Sequence, residues 1–366
     1  MRWIPFLAAA SLAAALAPPA ASQALLPPGA RERIEKALEA MEVKPQDPPP
    51  AWADPAAEPL FRFVQMSDFH WFWLRIDPAT KTLVESALHF VDERVKPAFV
   101  AITGDNSGDE SAEAEKALKD ILDRNLKARW FMIRGDNWPA FYPEVFGSTR
   151  YAFECGGVRF VFTALDLDDT TGQGVGRFLP DTWEWMEREL SPADPLSVVL
   201  FLHENVQPPV FLDAPRLDAL LEKSPVAAAT LTGHLHFDLE FQTGRVKHVL
   251  CPGLGPSSRH GFKVVEVHER FLCVRTVEFE RGEFRFVPKF QRIDLPHPAR
   301  RPAGQPIEGF RSLPARAMAP ELRMGETGPV LMLQLLAFAK RIGRAEEFAR
   351  LLRGEEKKKS GEEEGF

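Results

Sequence analysis

The sequence Phe61-Arg62-Phe63-Val64-Gln65-Met66 predicts a β-strand, and Asp68-Phe69-His70 follows it almost at once. Three further polar clusters each follow an apolar stretch in the same way. They are Gly104-Asp105-Asn106, His203 and Gly233-His234-Leu235-His236. Open α/β sheets place their ligands at strand ends, and carboxylates and imidazoles bind divalent and trivalent first-row metals. The four clusters therefore predict one metal site.

The ligand set is larger than one metal ion usually needs. The candidate ligands are Asp68, His70, Asp105, His203, His234 and His236. Six oxygen and nitrogen ligands from separate strand ends predict two ions about 3.5 to 4 Å apart, and Asp105 has the reach to bridge them. Two such ions clamp a phosphoryl group and lower the pKa of a shared water, so the expected nucleophile is a metal-bridging hydroxide.

Strand-like and helix-like segments alternate from Leu60 to about Ile293, which predicts one compact α/β domain of face-to-face sheets with helices outside. We assign this domain to residues 59–294. After the first strand, the pattern predicts strands at 98–103, 129–133, 151–155, 158–165, 197–202 and 227–232, with several more within 237–287. It predicts helices at 80–95, 111–126, 181–190 and 215–223, with Asp181 as an N-cap.

The N-terminal residues predict a signal peptide at 1–24, because a charged start, a short apolar stretch and small residues follow one another. The apolar stretch is shorter than the roughly 20 residues of a spanning helix, and an uncleaved anchor is the alternative. We therefore expect a periplasmic or extracellular protein with no stable membrane span after processing. Residues 25–58 form a Pro/Ala-rich extension with one short predicted helix, Arg31 to Met41.

Residues 295–366 predict a Pro-rich linker, a short helical segment and a charged tail. The helix-like stretches are 329–340 and 344–353, and the sequence does not identify a protein partner for them. The net charge of -7 and the lack of a basic stripe argue against a nucleic-acid-binding surface, whereas a small phosphorylated substrate fits a metal site. The three cysteines form no CxxC pair and predict buried free thiols.

With these motifs, the chain resembles the calcineurin-like metallophosphoesterases over about residues 61–268. The pattern of that family is DxH, GD, GNH followed by an acid, a lone H, and GHxH. The resemblance implies a four-layer α/β/β/α sandwich and two metal ions of iron, manganese or zinc type. It also implies that Asp68, His70 and His236 hold the first ion and that His203 and His234 hold the second. Asp105 would bridge the two ions.

The third motif departs from the family, because the chain reads Arg134-Gly135-Asp136-Asn137-Trp138 where GNH is expected. Aligned directly, Asp136 takes the ligand position on the second ion, and Asn137 replaces the histidine that usually protonates the leaving group. With one inserted residue, Asn137 stays a ligand and Trp138 takes the histidine position. The histidine is missing in both alignments. Gly-Asp-Asn is also ordinary turn chemistry, which is the other interpretation of Asp136.

The extra carboxylate changes the charge that we expect at the site. The positive charge of two divalent ions would be partly cancelled by the carboxylates of Asp68, Asp105 and Asp136, which leaves a net charge of about +1. With an asparagine at position 136 the net charge would be about +2. One charge about 5 Å from a bound phosphate is worth about 3 kcal/mol at an effective dielectric constant of 20. The site should bind metal well and anions less tightly, unless one ion is ferric and restores the charge.

The missing acid leads to two expectations for function. Loss of a general acid typically slows a reaction by about 10² to 10⁴, so activity should persist on activated aryl phosphates and be weaker on alkyl ones. The first expectation is a secreted or periplasmic hydrolase of phosphate mono- or diesters. The second is a metal-binding pseudophosphatase that uses the same cleft to bind a ligand or a protein.

Several other polar residues are weaker candidates. Glu204 and Asn205 lie beside His203 and are candidates for hydrogen bonds behind the ligands. Arg134 and Arg177 are candidates to meet a phosphate, and the spacing favours neither. His248 lies on a predicted strand, where packing is the expected role.

Overall fold

The computed structural model describes residues 39–54, 57–71, 78–107, 111–136, 141–169, 175–191, 195–255, 259–304, 306–322 and part of 330–341. Several of our predictions concern residues outside these ranges. They are the signal peptide, most of the helix from Arg31 to Met41, the helix at 344–353, and the roles of Asn137 and Trp138.

Most strands fall where the apolar pattern predicts them, with three additions: a short strand at 167–169 and two strands near the C-terminal end. In chain order they are β1 (Phe61–Met66), β2 (Phe99–Thr103), β3 (Arg129–Ile133), β4 (Tyr151–Cys155), β5 (Val158–Phe162), β6 (Leu167–Asp169), β7 (Ser197–Phe201), β8 (Ala227–Thr232), β9 (Leu239–Thr243), β10 (Val246–Leu250), β11 (Gly261–Val267), β12 (Phe271–Glu280), β13 (Glu283–Asp294), β14 (Glu308–Ser312) and β15 (Ala319–Leu322). The helices are α1 (Pro78–Phe90), which continues as a π-helical turn (Val91–Val95), α2 (Ala112–Asn125), α3 (Tyr142–Val145), α4 (Pro180–Glu189) and α5 (Ala214–Lys223).

Two large sheets carry the strands. The first has the order β13-β12-β11-β1-β2-β3, and its strands β1, β2 and β3 are parallel. The second has the order β14-β4-β5-β7-β8-β10-β9, and its strands β5, β7, β8 and β10 are parallel. The carboxyl ends of parallel strands meet at one edge of a sheet, which is where such sheets bind ligands.

The hydrophobic core fills three interfaces, which makes the fold a four-layer α/β/β/α sandwich, as predicted. Between the sheets lies a phenylalanine-rich core, in which Phe63 stacks on Phe99 with ring centroids 5.0 Å apart, and Phe162 on Phe201 at 4.4 Å. A second core lies between the first sheet and the pair α1 and α2. A third lies between the second sheet and the pair α4 and α5. Burial of these faces is the main favourable term in the stability of the fold.

The start of α4 differs from the prediction by one residue. Asp181 is not the N-cap, because the helix begins at Pro180, a residue favoured in the first turn. Leu179 occupies the cap position, and its backbone N–H donates to Asp166 Oδ2 over 2.8 Å. The carboxylate of Asp181 is 2.6 Å from the guanidinium of Arg316 instead.

The segment after residue 295, which the composition predicts to be a linker, adds two strands to the domain. β14 pairs antiparallel with β4 at the edge of the second sheet, and β15 pairs parallel with β6. Near the end of the described chain, residues within 330–341 are helical, as predicted. Arg341 there contacts Asp218 at 3.0 Å and Glu222 at 2.9 Å, so this helix lies against α5.

The N-terminal extension also contacts the domain. The N–H of Val43 donates to the carbonyl of Asp238 over 2.8 Å, and that of Gln46 to the carbonyl of Pro288 over 2.6 Å. The three cysteines are buried free thiols, as predicted. Within the described residues, every helix is too short or too polar to cross a membrane.

Candidate metal centre

The predicted ligands lie in the loops at the carboxyl ends of the parallel strands. In the first sheet, Asp68 and His70 follow β1, Asp105 follows β2 and Asp136 follows β3. In the second sheet, His203 follows β7, and His234 and His236 follow β8. Because the sheets pack face to face, these loops converge from both sheets on one cleft.

The side chains form two triads that match the division implied by the family resemblance. In the first triad, His236 Nε2 is 3.1 Å from Asp68 Oδ1 and 3.1 Å from His70 Nε2. In the second, Asp136 Oδ1 is 3.1 Å from His203 Nε2 and 3.5 Å from His234 Nδ1. In each triad the candidate ligand atoms lie within 4.8 Å of one another. These imidazole and carboxylate donors suit first-row divalent metals.

Asp105 lies between the triads. Its Oδ1 is 3.4 Å from His203 Nε2 in the second triad, and its Oδ2 is 3.9 Å from His70 Nε2 in the first. A carboxylate that presents one oxygen to each triad can bridge two ions, which is the role that the sequence predicts for Asp105.

The ligand loops have an unusual backbone conformation. Positive φ angles occur at Asp68 (55°), His70 (47°), Asp105 (49°), His234 (68°) and His236 (57°). Residues with a Cβ rarely adopt this left-handed region, and each costs on the order of 1 to 2 kcal/mol. Such strain clusters at functional sites because the surrounding structure must hold it in place. Five strained residues in one cleft therefore mark it as the functional site.

Two glycines allow the loops to approach each other closely. A Cβ at Gly135 would overlap Asp105 Oδ1, and a Cβ at Gly233 would overlap Ser67 Oγ. Each glycine directly precedes a candidate ligand in sequence. The third motif thus keeps its glycine for a steric reason, although the residues after it depart from the family.

Burial and neighbouring charge determine the protonation of the first triad without metal. Burial lowers the pKa of His70 to about 4, and the charge on His236 adds to this effect. Burial alone would raise the pKa of Asp68, but the neighbouring His236 outweighs it and holds that pKa well below its usual range. At neutral pH, His70 is therefore a neutral imidazole and Asp68 a carboxylate, which are the forms that bind metal.

The two histidines of the second triad bind protons more tightly than His70 of the first. Burial would lower the pKa of His203, but Asp105 and Asp136 outweigh it and raise that pKa well above its usual range. Asp136 raises the pKa of His234 in the same way against the effect of burial. Burial and the charge of Asp136 raise the pKa of Asp105. Protons thus balance the clustered carboxylates without metal, and a bound cation would replace them.

Backbone groups orient two of the ligands. His203 Nδ1–H donates to the carbonyl of Thr103 over 2.7 Å, which points Nε2 at the carboxylates. The N–H of His234 donates to both oxygens of Asp68 over 3.2 Å. Sequence reasoning missed Thr103, because a carbonyl partner leaves no residue-type signal.

Of the other polar residues considered in the sequence, some take the expected role and some do not. Asn205 Nδ2 donates to the carbonyl of Gly233 over 3.2 Å and so steadies the loop of His234. Glu204 is buried, and its carboxylate accepts no hydrogen bond from the part of the chain that the structure describes. Arg134 does not face the cleft as a phosphate ligand, because its guanidinium donates to the carbonyls of Leu165 and Arg316. His248 packs between Thr230 and Thr243, as predicted.

Known proteins resemble this chain in sequence and in fold. Residues 61–238 match the family model described as calcineurin-like phosphoesterase. A dimetal phosphatase from Danio rerio is 14% identical, with coverage of 64% of this chain and 100% of that one and a TM-score of 0.49. The purple acid phosphatase PPD1 from yellow lupin is 12% identical, with coverage of 64% and 53% and a TM-score of 0.50, which shows a shared fold. No curated protein matches the chain.

Proposed function

Residues 61–238 form a calcineurin-like phosphoesterase domain, and from this premise we propose that the protein is a dinuclear-metal hydrolase of phosphate mono- or diesters. The observation that carries the proposal is the position of Asp105, whose two oxygens face different ligand triads. A single-ion site does not need a carboxylate placed in this way. Two adjacent ions are the arrangement that suits in-line displacement at phosphorus.

The roles of the ligands follow from the two triads. Asp68, His70 and His236 would hold the first ion. Asp136, His203 and His234 would hold the second. Two divalent ions of iron, manganese or zinc type, when bound, would neutralise phosphoryl charge and lower the pKa of water into the neutral range.

Residues of the chain orient two of the metal ligands, and the third motif lacks a side chain that could protonate the leaving group. Thr103 fixes the imidazole of His203, and the backbone of His234 fixes the carboxylate of Asp68. Asn137 in the direct alignment, or Trp138 with one inserted residue, stands where related enzymes carry a proton-donating histidine, and neither an amide nor an indole releases a proton to a leaving group. We therefore expect the enzyme to prefer esters whose leaving group is stable as an anion, such as aryl phosphates.

We extend the proposal to location and partners. The leader-like residues 1–24 support a periplasmic or extracellular protein. The net charge of -7 supports a small phosphorylated substrate rather than a nucleic acid. A protein partner for the C-terminal helical segment stays unidentified.

A pseudophosphatase is the second candidate, and the missing histidine of the third motif is the observation that favours it. In this case the cleft would still bind metal and would serve to recognise a ligand or a protein. The two candidates agree on the metal centre and differ only in turnover.

Hydrolysis of nitrophenyl phosphate mono- and diesters with added Mn²⁺ tests the proposal. We expect turnover that a chelator abolishes and that Asp105→Ala lowers on the order of 10³-fold, comparable with the loss of a major electrostatic group. Asp218→Asn is the matched control, because Asp218 is also buried but contacts Thr243 and Arg341 instead of the cleft. Mn²⁺ binding without turnover would favour the pseudophosphatase, and failure to bind any of Mn²⁺, Zn²⁺ and Fe²⁺ would overturn both candidates.

A further inference from the structure

A buried ion pair lies two residues beyond His236. The carboxylate of Asp238, which is 1% exposed, is 2.5 Å from the ammonium of Lys263, which is fully buried. Lys263 also lies outside the region that matches the phosphoesterase family, which ends at residue 238. The pair therefore joins the last matched motif to a strand that the family model does not include.

The pair is fully hydrogen-bonded. The ammonium of Lys263 has three donors, and its acceptors are Asp238, Thr276 Oγ1 at 2.9 Å and Gln291 Oε1 at 2.8 Å. Thr276 Oγ1 in turn donates to Asp238 Oδ2 over 2.7 Å. Because apolar residues of similar volume often stabilise a fold as well as a buried ion pair does, stability alone is a weak reason for this arrangement. A role in fixing geometry is a better one.

The pair ties the two sheets together next to the first triad. Asp238 immediately precedes β9 of the second sheet, whereas Lys263 lies on β11 of the first. β11 pairs with β1, and Lys263 stands directly opposite Gln65, three residues before Asp68. The first triad is itself assembled from both sheets, since Asp68 follows β1 and His236 follows β8. A link between β9 and β11 beside this triad is therefore placed where it can set the distance between these ligands.

We propose that Asp238 and Lys263 are positioning residues, which hold the loop of His236 at the distance that the first ion requires. This inference rests on the metal centre of the proposed function. The N-terminal extension contributes to the same anchor, because the N–H of Val43 donates to the carbonyl of Asp238. Glu42 beside it pairs with Arg259 at 2.7 Å. The anchor holds the loop by its backbone as well as by its carboxylate.

Calorimetric titration of the whole metal-free protein with Mn²⁺ tests the proposal. We expect two binding steps in the wild type, and His236→Ala identifies the step that belongs to the first triad. Asp238→Asn and Lys263→Met should weaken that step roughly 10- to 100-fold, the usual effect of losing a partner behind a ligand, and leave the other step unchanged. Asp218→Asn, the matched buried carboxylate, should leave both steps unchanged.

A double variant separates positioning from stability. Asp238→Leu with Lys263→Met removes both charges, so its melting temperature should recover relative to the single variants. Its first-triad affinity should stay weak, because the loop has lost its anchor. Recovery of the affinity together with the melting temperature would overturn the inference, and so would single variants that bind as the wild type does.

The same titration distinguishes this inference from the proposed function. Two Mn²⁺ steps with the expected losses in the variants, but no hydrolysis of any ester, would support the positioning role and defeat the enzyme. If the wild type hydrolyses an ester and the Asp238 and Lys263 variants bind Mn²⁺ normally, the enzyme is supported and the positioning role is overturned.

Discussion

The two halves of the candidate metal centre differ at His70 and His203, both in burial and in protonation. The side chains of His70 and His236 in the first half are 17% and 18% exposed, whereas His203 in the second is fully buried. Burial lowers the pKa of His70 to about 4, whereas nearby carboxylates raise the pKa of His203 well above its usual range against the effect of burial. His70 is thus already in the form that binds metal, whereas His203 must release a proton first.

This difference arises because the buried charges of the site are concentrated around His203. His203 Nε2 lies within 4.0 Å of a carboxylate oxygen of each of Asp68, Asp105 and Asp136. A buried cation among three carboxylates stabilises the metal-free protein, whereas the partly exposed neutral imidazole of His70 does not carry that role. Substitutions should therefore affect the second half more strongly than the first.

The largest expected effect is the difference in the free energy of unfolding between the His203→Gln and His70→Gln variants of the metal-free protein. Glutamine cannot carry the positive charge, so His203→Gln leaves buried carboxylates without a partner and should lower the free energy of unfolding by roughly 3 to 5 kcal/mol. His70→Gln, at a partly exposed neutral residue, should lower it by about 1 kcal/mol. Urea unfolding with a chelator present measures both values. Equal losses would show that the two halves do not differ in this way.

The next largest effect is on the pH dependence of stability, and it comes from Glu115, which lies behind the second half of the site. Glu115 on α2 is buried and, among the described residues, neither carboxylate oxygen has a hydrogen-bond partner. Burial raises its pKa from 4.5 to about 7. The neighbouring Tyr142, whose pKa is raised by burial and by the charge of Glu115, donates its hydroxyl to the carbonyl of Met132. Glu115 therefore lies close to the strand that leads into the third motif.

The sign of the pH effect follows from the raised pKa. Between pH 4.5 and about 7 the folded protein binds more protons at Glu115 than the unfolded chain, so its contribution to stability falls as pH rises and then levels off. The fall is about 3 kcal/mol at most. Glu115→Gln should remove it, and should thus stabilise the protein at pH 8 but not at pH 4. Urea unfolding across this range tests the prediction, with the exposed Glu113→Gln as control; parallel pH profiles would contradict it.

The positions of the candidate metal ligands could be predicted from the sequence, because each ligand follows closely after a predicted strand. The carboxyl ends of the parallel strands lie at one edge of each sheet, so the local motifs were enough to predict that Asp68, Asp105 and His203 lie close together. The strands β14 and β15 could not be predicted, since they are short and lack an apolar alternation. Long-range contacts hold that segment instead, such as Arg311 Nε with Glu189 at 2.8 Å. Lys263 was missed for a similar reason, because only the register of β11 places it near the site.

Asn137→His tests whether the second half lacks a proton donor. We expect a gain of about 10²-fold in kcat/KM for alkyl phosphate esters, because a general acid can then protonate the leaving group. Nitrophenyl esters, whose leaving group needs no proton, should gain little. Steady-state kinetics on both ester classes with Mn²⁺ present provide the measurement. Asn137→Gln is the control, and an equal gain on both classes would contradict a role in proton donation.

Asp136→Asn gives the smallest expected effect and tests the departure in the third motif most directly. Removing one carboxylate changes the charge of the loaded site from about +1 to about +2. A unit charge about 5 Å from phosphate is worth about 3 kcal/mol at an effective dielectric constant of 20. Relaxation reduces this value, and we expect inorganic phosphate to inhibit about tenfold more tightly. The second-triad Mn²⁺ step should weaken, because an amide is a poorer ligand than a carboxylate.

The two readouts of Asp136→Asn separate the two interpretations of this residue. A ligand to the second ion must change both phosphate inhibition and Mn²⁺ affinity, in opposite directions. A turn-forming residue should change neither, although it lies 3.1 Å from His203 Nε2. Metal analysis of protein purified without added metal completes the test, because a ferric ion would raise the wild-type charge to about +2 on its own. In that case the third motif would have exchanged a neutral ligand for an acidic one to suit a trivalent ion, and the first half, with its unaltered motifs, would keep the divalent one.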